Sequence, residues 1–104
     1  MSSPAKKNQK PSVIGIPWYN ERAWRRMKEI SEDKESFHQT YQLWLANADK
    51  SIVLLTNRDQ AFERLNIDPT SYSWWCENQS LKRDKESRRA YIQYLLQNKI
   101  KQEQ

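Results

Sequence analysis

The stretch Ile67-Asp68-Pro69-Thr70-Ser71-Tyr72-Ser73-Trp74-Trp75-Cys76 decides how this chain folds, because it joins a helix-starting signal to the densest apolar surface in the sequence. The Asp68 carboxylate can accept from backbone amides that have no helical partner, and Pro69 suits the next position, where a missing N–H is no loss. A helix is therefore expected over residues 69–79. At 100° per residue, Tyr72, Trp75 and Cys76 share one face and Trp74 falls almost opposite. The first three are expected in the core. Trp74 either packs beneath the polar break at 80–83 or stands at the surface as a partner-binding anchor, since Trp and Arg dominate interface hot spots.

Toward the amino end of this nucleus, period two sets Ala61, Leu65 and Ile67 on one side with Glu63 as a mismatch, whereas period 3.6 pairs only Phe62 and Leu65. A strand over 62–67 is expected. Its partner is Val13-Ile14-Gly15-Ile16, a β-branched run holding the chain's one glycine, followed by a turn at Pro17-Trp18-Tyr19. Two strands alone are marginal in water, so helices have to cover them. Asn20 can cap a helix over 21–31 with Ala23, Trp24, Met27 and Ile30 on one face and Arg22, Arg25 and Arg26 across from them. Ser36 and Gln39 have the form of a capping box, and Phe37, Tyr41, Trp44, Leu45 and Ala48 form a core-facing stripe, so a second helix is expected over 37–49. Ile52 to Thr56 either extends it or leaves as a buried strand.

Toward the carboxyl end, Asp84 can cap a last helix over 85–99 with Tyr91, Ile92, Leu95 and Leu96 facing inward. Arg88 lies on the same side one turn earlier, where it is expected to pair with Asp68 or Glu77, or to stack on Trp75. The fold class is α+β, mostly helical, with about four helices and a minimal two-stranded sheet. Residues 13–100 form a single small globular domain between a flexible basic tail (1–12) and a frayed carboxyl end (101–104).

Composition narrows the function classes. A chain of 104 residues allows one core. Apolar residues make up only 37%, but each of the many aromatics can bury about 150–250 Å². A lone cysteine excludes an internal disulfide and fits a reducing compartment. There is no signal-peptide pattern, and the run Ile52-Val53-Leu54-Leu55 is far short of the roughly 18 residues of a membrane span. A cytoplasmic protein with no membrane association is expected. The net charge of +5 is gathered at the ends: residues 11–81 carry eight basic and ten acidic side chains, while residues 82–104 carry seven and three. The central part of the chain is therefore not basic.

Catalytic constellations are missing from the sequence. His38 and Cys76 are the only residues of their kinds, so no zinc-ligand cluster is available. A Cys-His nucleophile pair fails on helical phase, with Cys76 toward the core and His38 toward solvent. One glycine cannot build a phosphate loop. No catalytic residue, cofactor or metal is expected. Arg22, Arg25 and Arg26 beside Trp18 and Tyr19 offer guanidinium groups for phosphate and rings for stacking, and Lys82, Arg83, Lys85 and Arg89 form a second basic patch. The interspersed Glu21, Glu29, Asp84 and Glu86 point instead to a solvated, salt-bridged face. The expected function is that of a non-enzymatic accessory or protein-interaction protein with a protein partner. The alternative is nucleic-acid binding through Trp18, Tyr19, Arg22, Arg25, Arg26, Trp74, Lys82, Arg83 and Arg89. Nothing in the sequence sets the oligomeric state.

The order Gly15-Ile16-Pro17-Trp18-Tyr19, Thr40-Tyr41 with Trp44-Leu45, Ile67-Asp68-Pro69 with Tyr72 and Trp75-Cys76, then Arg88 before Tyr91, resembles a family of small bacterial proteins without an established activity. The resemblance covers about residues 14–95. It implies a compact bacterial cytoplasmic domain and an extended segment at 62–67, and carries no catalytic role. A departure is that Asn57 to Gln60 lacks the glycine expected before that strand.

Overall fold

In the computed structural model, which describes residues 12–103, the elements run β1 (Ile14–Trp18), α1 (Glu21–Ile30), a 3-10 turn (Lys34–Ser36), α2 (Tyr41–Asn57), β2 (Phe62–Asn66), α3 (Pro69–Asn78) and α4 (Lys85–Glu103). The expected basic tail, Ser12 apart, lies outside the described residues. The architecture is α+β, four helices around a two-stranded sheet. β1 and β2 are parallel, with Ile14 opposite Phe62 and Trp18 opposite Asn66. The crossover between them carries α1 and α2.

β1 continues through Pro17 and Trp18, where a turn was expected. In a parallel ladder alternate amides face the partner strand. The Ile14 amide donates to the Ala61 carbonyl at 3.1 Å, which puts the Pro17 position on the open edge, where a missing N–H is harmless. One face of the sheet is covered by α4 through Ile92 and Leu96. The contact is close: a Cβ added at Gly15 would lie 2.7 Å from Ile92 Cγ2 and 3.0 Å from Leu65 Cδ1. Glu63, the mismatch in the strand pattern, pairs with Lys99 of α4 at 2.5 Å, so its inward direction has a charge partner.

The capping signals at three helix starts hold. Asn20 accepts from the Ala23 amide at 2.8 Å, Asp68 from Ser71 at 3.2 Å and Asp84 from Ser87 at 3.1 Å. The second helix differs. Its cap is Thr40, which accepts from the Leu43 amide at 3.2 Å, and Ser36 instead closes the 3-10 turn through its amide on the Asp33 carbonyl. Helix α2 therefore begins at Tyr41, runs unbroken through Ile52–Thr56, and leaves Phe37 on the preceding loop. The competing interaction is tertiary. Asp33 and Phe37 both engage Arg88 of α4, the carboxylate bidentately at 2.7 and 2.8 Å and the ring face at 4.6 Å from the guanidinium carbon. The expected Arg88 partners, Asp68, Glu77 and Trp75, are thus replaced by Asp33 and Phe37, residues from a loop whose path local spacing does not reveal.

The core joins Trp24 and Met27 of α1, Leu65 and Ile67 around β2, Tyr72 and Cys76 of α3, and Tyr91, Ile92 and Leu96 of α4. Tyr19 belongs to it as well. A ring network ties the first half of α2 to this core: Trp44 meets Trp18, Tyr19 and Tyr41 with centroids 5.2–5.5 Å apart. No helix among the described residues is long and apolar enough to cross a membrane.

Candidate functional site

Helices α3 and α4 bury one side each, and the seam between their partly exposed sides is a groove enclosing about 460 Å³. Trp75, Tyr91 and Tyr94 form its wall, with ring centroids 5.2–6.0 Å apart. Trp74 stands at its rim with 69% of its surface exposed, and Tyr94 is 43% exposed. Helical phase explains the split. Tyr72 and Cys76 take the buried side of α3, Trp75 is turned toward α4, and Trp74 is left facing water. Thr70, Ser71, Asn78 and Gln79 complete the lining, which holds no Asp, Glu, Lys, Arg or His.

Hydrogen bonding inside this groove is almost unused. Ser71 donates its hydroxyl to Asp68 at 2.7 Å. Among the described residues no bond engages the indole N–H groups of Trp74 and Trp75, the hydroxyls of Tyr91 and Tyr94, or the side-chain amides of Asn78 and Gln79. Burial pushes the Tyr91 phenol pKa up, reinforced by the negative charge of nearby Asp68, so Tyr91 stays a neutral donor at physiological pH.

A second hollow, about 920 Å³, adjoins the first through Thr70, which lines both. It brings together Arg22, Arg25 and Arg26 of α1, as the sequence suggests, but also Glu21, Glu29 and Asp68. Arg25 is paired with Glu21 at 2.5 Å and Arg26 with Glu29 at 3.0 Å. Arg22 alone of the three has no ion pair among the described residues. Three positive and three negative groups thus leave this hollow close to neutral.

The other residues singled out by sequence do not join these hollows. Tyr19 is buried, and desolvation pushes its phenol up to about 12 against the opposing influence of Arg88. It is a core residue and not a stacking platform. Trp18 is half-buried between Arg64, 4.6 Å from its ring, and Trp44. Arg83 donates through Nε to the Ile30 carbonyl at 2.7 Å, and its backbone carbonyl accepts from the Glu32 amide at 2.8 Å, so it is tied to the end of α1. Lys82 and Arg89 are exposed, with Arg89 about 140° around α4 from Tyr94.

Cys76 is fully buried, and desolvation raises its thiol pKa although Tyr72 and Arg83 oppose the shift. His38 lines a separate small hollow of about 160 Å³ with Trp24, Phe37 and Arg88. Cys76 is not part of that lining, so the two residues do not form a nucleophile pair.

Sequence reasoning picked out Trp74 and correctly placed Tyr91 in the core, but it counted Trp75, which is only partly buried, as core and passed over Tyr94. The signal available was the i, i+3 pair Tyr91–Tyr94 on the side of α4 nearest α3. No protein-family model, curated protein or solved structure matches the chain.

Proposed function

We propose that this chain is a non-enzymatic interaction protein that seats part of a protein partner on the aromatic groove between α3 and α4. The observation that carries the reading is Trp74. It is the most exposed large apolar side chain described, placed at the mouth of a groove whose wall already holds three rings. Trp and Tyr supply large contact area at small entropic cost and are over-represented among interface hot spots. A bacterial cytoplasmic setting belongs to this proposal and rests on the sequence resemblance and the lone free cysteine.

A nucleic-acid partner is less well supported, because the arginines nearest the groove are largely neutralised by Glu21, Glu29 and Asp68. Replacing Trp74 with Ala should leave the unfolding midpoint within about 4 °C of the unmodified protein, since exposed substitutions stay within about 0.5 kcal/mol. The same replacement should abolish capture of the partner in quantitative pull-downs, whereas Leu54→Ala, at another exposed position, should not. Equal capture by the Trp74 and Leu54 variants would sink the reading.

A further inference from the structure

We infer that the α3–α4 groove recognises a proline-rich segment without carboxylates, in the polyproline II conformation, an inference that rests on the docking role proposed above and names its partner. Charge comes first. The lining holds no Lys, Arg or His and lies beside the Asp68 carboxylate, so it has nothing to offset the desolvation of an Asp or Glu pressed into it, and the seated part of the partner carries no carboxylate.

Hydrogen-bond polarity comes next. The uncommitted groups include two indole N–H groups, which only donate, together with two phenol hydroxyls and two carboxamides. The complement to such a surface is a chain rich in free acceptors. An α-helix has already used its carbonyls internally, and an extended strand brings as many N–H donors as acceptors. A proline-rich segment presents solvated carbonyls and lacks amide protons at each proline, and its flat rings stack on aromatic faces. Aromatic-lined grooves use the same mode with little ordering entropy, because the ligand is already extended.

Size agrees as well. Thr70 to Asn78 spans about 12 Å of helix at 1.5 Å per residue, room for about four residues of a polyproline II helix rising 3.1 Å each. The tilted planes of Trp75 and Tyr94, 34° apart with centroids at 5.6 Å, line one side, and Trp74 stands at the open rim.

The test titrates a synthetic decaproline, which has no aromatic residue, into the full chain while following tryptophan fluorescence and heat of binding. Oligothymidine and cellohexaose are run in parallel. Saturable decaproline binding is expected, at least tenfold weaker in Trp74→Ala and several-fold weaker in Tyr94→Phe, which keeps the ring and removes the hydroxyl donor. Unchanged unfolding midpoints in both variants show that the loss is local. No decaproline binding up to millimolar concentration, or binding indifferent to Trp74, overturns the inference. So does Trp74-dependent binding of oligothymidine or cellohexaose without decaproline binding. If a partner protein is captured through Trp74 but not displaced by decaproline, the proline-rich assignment fails while the docking role stands. If capture is independent of Trp74, both fail.

Discussion

Arg88 carries the most demanding electrostatic position in the molecule. Its side chain and that of Asp33 are each only 16% exposed, and the guanidinium is met by two carboxylate oxygens, the Ser31 hydroxyl at 3.2 Å and the face of Phe37. The geometry is the planar fork that Lys cannot reproduce. Removing one partner leaves the other charge without compensation. Asp33→Ala should therefore lower stability by about 3 kcal/mol, the low end for breaking a buried pair, and Asp33→Ala with Arg88→Met should recover much of that loss in chemical denaturation. Two additive losses would show that the ions do not depend on each other. The pH dependence has a definite sign. The hydrogen bond from Arg88 holds the Asp33 carboxyl below its ordinary value of 3.8, so the folded form binds its proton less readily than the unfolded one. The stabilisation is complete above about pH 4 and drains away as pH falls toward the depressed folded value. The stability gap between the unmodified protein and Asp33→Asn should shrink over that interval. Sequence pattern placed Arg88 correctly on an inward face and implied a carboxylate partner. It did not identify Asp33, because the two are 55 positions apart and no helical or strand period connects them.

Among the elements, helix starts were far more legible than helix ends. Asn20, Asp68 and Asp84 are short-range signals, each bonding an amide three residues ahead, and such signals survive in almost any tertiary setting. Helix α2 was misplaced at its start because the Arg88 contacts hold Phe37 on a loop, so an inward-facing residue was counted as part of the helical stripe. The helix ends are built without glycine. After α3, the Ser80 amide donates to the Glu77 carbonyl and Leu81 to Cys76; after α2, Asp59 donates to Thr56 and Gln60 to Leu55. Both are Schellman closures, and their pivots Ser80 and Asp59 have φ of 57° and 55°, where a side chain is strained. This is where the resemblance leads one to expect a glycine before β2. Ser80→Gly should raise stability by about 0.5 kcal/mol, the relief of left-handed strain less the added freedom of the unfolded chain. Asp59→Gly should gain more, because it also removes a negative charge from the negative end of α2. Paired urea unfolding curves decide it, and a lower midpoint in either variant refutes the strain assignment.

On the scale of the whole molecule, stability is concentrated on one side. The two longest helices are α2 and α4, whose 17 and 19 residues make rods of about 25 and 28 Å. The two are held unequally. α4 lies across the sheet and α3, with Tyr91, Ile92 and Leu96 buried. α2 buries no residue fully; its first half is tied down by Trp44 and Tyr41, and its second half leaves Val53 and Leu54 more than half exposed. Opening of an element tracks how much apolar contact it must give up. Native-state hydrogen exchange should therefore show amides at 50–57 exchanging through low-energy local opening, with those of α3 and of α4 around Tyr91–Leu96 protected up to the global unfolding limit. The proposed docking groove then sits on the most firmly held pair of helices, so the backbone that carries Trp74 and Tyr94 needs no reordering when a partner arrives. Uniform protection across α2 and α4 would contradict this division, and strong exchange in α3 or α4 would remove the preorganised footing of the groove.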